Sequence, residues 1–141
     1  MSNTSIDNVK FYNAPTMVHE NGTLVPIEAS RDVPFDIKRV FYVYGVRDER
    51  KRGEHAHYKT QQLLICLSGK IEVICKDGTR EVSYLLESPQ QALLVPEMIW
   101  DEQVYRSESS ILLVLANTHY DPDDYINDFE KFKKIKLNYD I

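Results

Sequence analysis

Hydrophobic and polar residues alternate along this chain in short runs separated by turn-forming residues, a pattern typical of an all-β protein. The β-prone runs are residues 9–12, 23–28, 38–44, 52–57, 63–67, 71–76, 80–86, 92–96 and 111–116. Asn21-Gly22, Ser68-Gly69 and Asp77-Gly78 supply turns between neighbouring runs. Many short strands joined by turns predict a jelly-roll sandwich or barrel, whose inward-facing residues line a pocket.

The last part of the chain changes period. Asp121 and Pro122 are typical of the N-cap and the first position of a helix. Tyr125, Ile126, Phe129 and Phe132 follow as an apolar stripe at helical spacing. We therefore expect one C-terminal α-helix, with its apolar side packed on a sheet.

Composition narrows the classes of function. A chain of 141 residues, 43% hydrophobic and 28% charged, is expected to form a single domain over residues 1–141. A net charge of −5 and a pI near 5.3 argue against nucleic acid as a partner. An anionic ligand would have to be held by a few placed arginines. No apolar segment is long enough to span a membrane, and the first residues lack the parts of a signal peptide, which predicts a cytoplasmic protein.

The chain has two cysteines, Cys66 and Cys75. If Ser68-Gly69 is a two-residue hairpin turn, Cys66 pairs with Ile71 and Cys75 lies far away along the next strand. A disulfide is then not expected. Reduced thiols in the core fit a reducing compartment.

The candidate chemistry is concentrated in Arg52-Gly53-Glu54-His55-Ala56-His57. In an extended segment His55 and His57 lie on the same face, while the small Ala56 faces the other way and allows close packing. Gly53 permits close backbone approach, and Arg52 places a permanent cation next to the pair. Two adjacent imidazoles either bind a metal or move protons near neutral pH.

A metal site is one interpretation. The positions of His55, His57, Gly69 and Pro96 resemble the metal-binding framework of the cupins. Where that framework has its glutamate, glycine and last histidine, this chain has Gln61 or Gln62, Met98 and Asp101, respectively. His55, His57 and Asp101 still form a candidate two-histidine, one-carboxylate set for iron, so an iron-dependent cupin oxygenase is one alternative.

Metal-free proton transfer is the other interpretation. An imidazole is well suited to removing a proton from a carbon next to a ketone, and a second imidazole can return a proton to a neighbouring atom. Arg39, Tyr42, Tyr44 and Arg52 would add hydrogen-bond donors and anion-binding groups to the same pocket. Such a pocket suits a sugar attached to a phosphate.

Several segments make a family resemblance specific. They are residues 33–42, the Arg-Gly-x-His-Ala-His motif at 52–57, and residues 62–69, 95–100, 113–116 and 120–126. Through them nearly the whole chain is similar to the dTDP-4-keto-6-deoxyglucose 3,4-ketoisomerases. The resemblance implies a cupin fold, no metal or cofactor, and a homodimer that exchanges N-terminal strands. It also implies synthesis of a deoxysugar for a surface polysaccharide such as an O-antigen.

The same resemblance assigns roles to residues. His55 and His57 become the catalytic pair, which removes the C3 proton of the 4-keto sugar and reprotonates the enediol at C4. The implied substrate-binding residues are Arg39, Tyr42, Arg52, Asn21, Trp100 and Asp101. Arg52 is suited to a pyrophosphate.

Three of the chain's positions depart from the family pattern. Asn21 stands where the family has Arg or Tyr, Asp101 where it has His or Arg, and Tyr58 where Lys is common. The first two positions separate galacto from gluco products, so the stereochemistry at C4 is not predicted. A cupin that binds a nucleotide sugar without catalysis is a third alternative.

Overall fold

The structure, a computed structural model, describes residues 4–47 and 49–139. Its strands are β1 (Lys10–Asn13), β2 (Met17–His19), β3 (Gly22–Leu24), β4 (Arg39–Val43), β5 (Lys51–His57), β6 (Gln62–Ser68), β7 (Ile71–Lys76), β8 (Glu81–Leu86), β9 (Gln91–Val95), β10 (Trp100–Tyr105), β11 (Ile111–Ala116) and β12 (Tyr125–Ile126). The helix α1 spans Phe129–Tyr139, and short 3-10 helices span Ile6–Asn8 and Pro122–Asp124. Most of the strands lie where the alternating pattern predicts them, but the run at 23–28 gives only β3.

Ten of these strands form two five-stranded antiparallel sheets, in the orders β1-β9-β6-β11-β4 and β12-β5-β10-β7-β8. Alternating apolar residues of both sheets pack into one core, which includes Leu64, Leu112, Ile71 and Val73. The burial of β7, in which every second residue is buried, shows the alternation most clearly. The expected all-β jelly roll with a C-terminal helix is confirmed.

The turn at Ser68-Gly69 is not the hairpin that the sequence predicts. β6 pairs with β9 and β11, whereas β7 pairs with β8 and β10, so this turn carries the chain from one sheet to the other. Gly69 has a φ of +76°, and a Cβ there would lie 2.5 Å from Ser110 Oγ. Cys66 and Cys75 therefore lie in different sheets, both buried and both free, as expected.

The C-terminal segment also differs from the prediction. Asp121 is an N-cap, but only of the 3-10 helix at Pro122–Asp124. The chain then forms β12, which pairs with β5, before α1 begins at Phe129. Tyr125 and Ile126 are therefore strand residues rather than part of the helical stripe. Local helical spacing was overridden because the edge of β5 offers backbone hydrogen-bond partners.

A small hairpin stands apart from both sheets. Within the described part of the chain, β2 and β3 pair only with each other. Their apolar side chains are exposed, with 54% for Met17, 74% for Val18 and 55% for Leu24.

Among the described residues, no helix is long and apolar enough to cross a membrane.

Candidate active site

A bulge in β5 brings the functional residues of the motif to one face. His55 pairs with Asp101, Gly53 with Glu102 and Arg52 with Gln103, so Glu54 is an extra residue in the ladder. Arg52 and His55 are three residues apart and would face opposite sides of a regular strand. Because of the bulge, both lie on the face that looks into the sandwich.

Gly53 is required by this geometry. Its φ is +77°, a conformation that L side chains rarely adopt. A Cβ at this position would lie 2.9 Å from Asp101 Oδ1 and 3.1 Å from the Asp101 carbonyl oxygen. The close backbone approach expected from the sequence is thus an approach to Asp101.

The two histidine rings are neighbours, with centroids 4.9 Å apart and planes at 83°. His55 is half-buried, and its Nδ1 lies 3.0 Å from the Gly53 carbonyl oxygen. A carbonyl oxygen only accepts, so this contact assigns the proton of neutral His55 to Nδ1. Nε2 then carries a lone pair, as a general base requires.

His57 is more deeply buried, with 4% of its surface exposed. Burial, together with the charges of His55 and Arg39, lowers the pKa of His57 to about 3. The ring is therefore neutral at physiological pH. As a neutral imidazole it offers one donor and one acceptor.

Tyr125 completes this aromatic cluster, although the sequence analysis did not place it at the site. Its ring centroid lies 4.9 Å from that of His55 and 4.5 Å from that of His57. It lies opposite His57 in the β12–β5 pair, so the two side chains share a face. Tyr125 and His55 also line one cavity of about 290 Å³. The signal that would have found it is pairing across strands, which spacing along the chain does not reveal.

Two buried polar atoms at this site are unsatisfied. Within the described residues, neither Arg39 Nε nor His57 Nε2 has a hydrogen-bond partner. The Arg39 guanidinium lies 5.3 Å from the centroid of the Phe41 ring and 5.8 Å from that of Tyr120. Buried polar atoms are usually paired, so two that are unpaired indicate a place for a ligand.

Asp101 is brought into the site by the β5–β10 register. It is 1% exposed, and Gln103 Nε2 donates a hydrogen bond to its Oδ1 over 3.2 Å. Burial raises the pKa of Asp101, while the charge of His55 and the Gln103 hydrogen bond act in the opposite direction. Among residues 4–47 and 49–139, no three His, Cys, Asp or Glu side chains are placed to hold a metal ion. The geometry therefore does not support the candidate iron set of His55, His57 and Asp101.

Arg52 and Tyr42 meet at a second, larger cavity. This cavity has a volume of about 670 Å³ and is also lined by Arg47, Arg50 and Lys51. Tyr42 is 65% exposed. It lies three positions after Arg39 in β4, so these two side chains lie on opposite faces of the strand. The structure thus separates the predicted binding residues into an arginine-rich end and a histidine end.

The structure does not bring Trp100 or Asn21 to the histidines of the same chain. Trp100 lies on the face of β10 opposite to Asp101, and its ring packs against those of Phe129 and Phe132 in α1. The Trp100 ring thus contacts the helix within this chain, and its contact with substrate stays a prediction. Asn21 is exposed in the turn between β2 and β3.

Comparison with known proteins identifies the family. The family described as "FdtA: WxcM-like, C-terminal" matches residues 7–137. The TDP-4-oxo-6-deoxy-alpha-D-glucose-3,4-oxoisomerase of Aneurinibacillus thermoaerophilus is 39% identical over 125 residues, which cover 89% of this chain and 90% of that protein.

Two solved structures of a sugar 3,4-ketoisomerase from Thermoanaerobacterium thermosaccharolyticum are also similar. The complex with TDP has a TM-score of 0.92 and 34% identity, covering 96% of this chain and 99% of the other. A histidine-to-asparagine mutant in complex with TDP-4-keto-6-deoxyglucose has a TM-score of 0.89 and 34% identity, covering 93% and 95%. This chain, a cupin-type jelly roll, belongs to the FdtA family of isomerases.

Proposed function

We propose that this protein is a sugar-nucleotide 3,4-ketoisomerase, which converts a dTDP-4-keto-6-deoxyhexose to its 3-keto isomer. The observation that carries the proposal is the pair of histidines beside the unpartnered buried atoms His57 Nε2 and Arg39 Nε. The names of the relatives, which are oxo- or ketoisomerases of TDP-sugars, support the same reaction. The arrangement serves proton transfer to and from a bound keto sugar.

The substrate is expected to lie along the cleft between β4 and β5. Arg39 acts electrostatically on His57 at one end, and Val43 lines the arginine-rich cavity at the other. Arg39 and Val43 are four positions apart along β4, a distance of about 13 Å. That length suits a sugar at the histidines and a diphosphate at Arg52. The Tyr42 and Tyr44 rings, stacked with centroids 6.3 Å apart, offer an aromatic surface for the nucleotide base.

His55 is the proposed base. Its Nε2 lone pair removes the proton from C3, and the electrons of the C3–H bond form the C3=C4 double bond of an enediol. The C4 carbonyl oxygen gains a proton and becomes a hydroxyl. The C3 hydroxyl then loses its proton to become the ketone, and C4 receives a proton. C3 is oxidised and C4 is reduced within one molecule, so the atoms and electrons balance.

His57 is proposed to act as a neutral partner. Because the pKa of His57 is lowered to about 3, it donates to or accepts from a sugar oxygen as an imidazole, without carrying a charge. The Arg39 guanidinium, whose Nε is also unpartnered among the described residues, stabilises negative charge that develops on the enediolate. These roles require only protein side chains.

Solvent-deuterium exchange tests the proposal. TDP-4-keto-6-deoxyglucose is incubated with the protein in D₂O, and proton NMR follows the C3 and C4 positions. We expect deuterium at C3 of the recovered 4-keto substrate and at C4 of the 3-keto isomer that forms. Binding of dTDP by calorimetry with no exchange would instead establish a nucleotide-sugar-binding cupin without catalysis.

We further propose a homodimer that exchanges N-terminal strands. The β2–β3 hairpin has no sheet partner in the described chain, and it exposes Met17, Val18 and Leu24. Laid on a second copy, this hairpin would bury these residues and carry Asn21 to the partner's site. The exposed Val40 on the outer side of β4 offers a further apolar surface.

Light scattering after size-exclusion chromatography tests the dimer. We expect a dimer, and we expect Val18→Asp to weaken it and to lower turnover. Val82→Asp on β8, where Val82 is 39% exposed, is the matched control and leaves the dimer intact. A fully active monomer would contradict the proposal.

The remaining parts of the proposal concern context. We propose a single cupin domain over residues 1–141 that works in the cytoplasm, where free thiols such as Cys66 and Cys75 persist. Its product would enter the synthesis of a deoxysugar for a surface polysaccharide. Fractionation of the cells that produce it, followed by detection with an antibody, tests the location.

A further inference from the structure

The inner face of β10 carries a chain of hydrogen bonds that the reaction described above does not use. The Tyr105 hydroxyl donates to Gln103 Oε1 over 2.9 Å, and Gln103 Nε2 donates to Asp101 Oδ1 over 3.2 Å. Tyr105, Gln103 and Asp101 are all buried, with at most 8% of each exposed. Both donors point toward Asp101, so the series of hydrogen bonds ends on a carboxylate oxygen, which accepts.

Both ends of this series of hydrogen bonds reach the site. At the arginine-rich end, the Arg52 guanidinium acts electrostatically on the Tyr105 hydroxyl, opposing the rise in its pKa that burial causes. Asp101 lies opposite His55 in the β5–β10 ladder at the histidine end. The series of hydrogen bonds therefore runs through the protein interior, parallel to the proposed path of the substrate.

The surroundings of Asp101 determine its ionisation. From β5 it faces the imidazole of His55, and from β7 it is opposite the thiol of Cys75, whose pKa is raised by burial and by Asp101 itself. Glu102, next to it on β10, acts to raise the pKa of Asp101, as burial does. Against these, the Gln103 amide is a neutral donor that favours the carboxylate.

We infer that Gln103, held by Tyr105, is a positioning residue that keeps Asp101 ionised beside His55. The carboxylate then stabilises the imidazolium that His55 becomes when it removes the C3 proton. This inference rests on the proposed function for its catalytic consequence, but the ionisation of Asp101 is measurable without turnover. It assigns a role to a carboxylate at a position where the resemblance led us to expect Arg or His.

Two measurements test the inference. The first is the titration of the Asp101 carboxyl carbon by NMR in protein labelled with ¹³C-aspartate, with the signal assigned by its loss in Asp101→Asn. The second is the pH dependence of kcat. In Gln103→Met, we expect Asp101 to titrate at higher pH by about one unit, and the acidic limb of kcat to move with it. KM should change little, since Gln103 does not line the cleft.

A double-mutant cycle separates positioning from a general loss of structure. In the Asp101→Asn background, Gln103→Met should have no further effect on the pH profile. Tyr105→Phe, which removes only a hydroxyl, should move the Asp101 titration in the same direction by less, and it carries the test if Gln103→Met does not fold. Glu108→Gln, which changes an exposed carboxylate in the turn after β10, is the control and should leave the shape of the kcat profile unchanged.

Three results would overturn the inference. The first is a carboxyl titration that shows Asp101 to be protonated at neutral pH in the wild-type protein. A titration that does not move in folded Gln103→Met or Tyr105→Phe is the second, and an equal shift of kcat with and without Asp101 is the third. A wild-type protein that does not turn over the keto sugar contradicts the proposed function instead, and the carboxyl titration still decides whether Gln103 holds Asp101 ionised.

Discussion

Tyr125 and His57 lie directly opposite each other in the β12–β5 pair, with ring centroids 4.5 Å apart. The residue after Tyr125 is Ile126, which is 1% exposed and packs with Phe132 of α1. The helix thus holds the short strand β12 in place, and β12 holds the Tyr125 ring against the histidines. The C-terminal helix contributes to the site by supporting it from behind.

Removal of either histidine should abolish most of the activity. We expect His55→Asn and His57→Asn each to lower kcat by at least about 100-fold, the usual effect of losing a general acid or base. The exposed His119→Asn is the matched control and should retain wild-type turnover. Circular dichroism checks that the fold is intact. A near wild-type rate in either variant would remove that histidine from the catalytic pair.

Stability should fall in acid because His57 is buried as a neutral ring. Its pKa is about 3 in the folded chain, compared with an ordinary value of 6.5, so between these values the unfolded chain binds more protons. This contribution is fully present above pH 6.5 and is lost as the pH falls toward 3, by up to about 5 kcal/mol in the free energy of unfolding.

Urea unfolding at pH 7 and pH 4 measures this effect. The loss between the two pH values should be smaller in His57→Asn than in the wild-type protein, whereas His119→Asn should behave like the wild type. Equal losses in all three proteins would mean that other groups cause the acid sensitivity.

Gly53 and Gly45 form a matched pair for testing the close approach to Asp101. Their φ values are +77° and +75°, but a Cβ at Gly45 meets nothing within 4 Å. Gly45→Ala should therefore cost only about 1 kcal/mol of stability, from the backbone conformation. Gly53→Ala should cost about 2–4 kcal/mol and should also lower turnover, because it displaces Asp101. Equal costs, measured by chemical unfolding, would show that the contact is easily relieved.

Arg52 is predicted to bind the diphosphate. Arg52→Ala should weaken binding of dTDP by at least about 2 kcal/mol, because a partly desolvated phosphate loses its charged partner. Arg31→Ala is the control, since Arg31 is exposed and pairs with Glu28 outside the cavity. Unchanged affinity in Arg52→Ala by calorimetry would restrict Arg52 to its contact with Tyr105.

The stereochemistry at C4 is predicted to depend on Asp101 and Asn21. Asp101 is buried beside His55, so its replacement changes which groups surround the enediol. We expect imperfect facial control in the wild-type protein, and Asp101→His combined with Asn21→Arg should shift the product toward galacto. Proton NMR of the product measures the ratio of epimers. A single epimer, unchanged in the double variant, would contradict this prediction.

Most of the fold followed from the sequence, but the strand that carries the polar part of the site did not. β10 reads Trp-Asp-Glu-Gln-Val-Tyr, which has no run of apolar residues, and yet all six positions are buried. Its polar residues are satisfied by one another and by lysines. Glu102, for example, contacts Lys51, Lys76 and the Trp100 indole. Patterns of hydrophobicity do not detect burial that is stabilised by hydrogen bonds and ion pairs.

The site was predictable only where it is local in sequence. His55, His57 and Arg52 lie within one strand, and their shared face follows from the motif once the bulge is known. Tyr125 was assigned to a helix, because its contact with the histidines depends on a two-residue strand that pairs far along the chain. Met98, at the position of a cupin glycine, keeps a φ of +61°, so the backbone of that motif persists without its usual residue.

The bulge at Glu54 places a constraint on the backbone that its exposed side chain does not suggest. Glu54 has a φ of +57°, next to the left-handed Gly53, so β-branched residues are disfavoured at this exposed position. Deletion of Glu54 would straighten the strand, with Arg52 still opposite Gln103 and His55 still opposite Asp101. The two side chains would then be two residues apart and would still share a face. A shorter motif would therefore keep both ends of the proposed substrate path on one side of the sheet, whereas an unsuitable residue in the full-length motif would strain the turn between them.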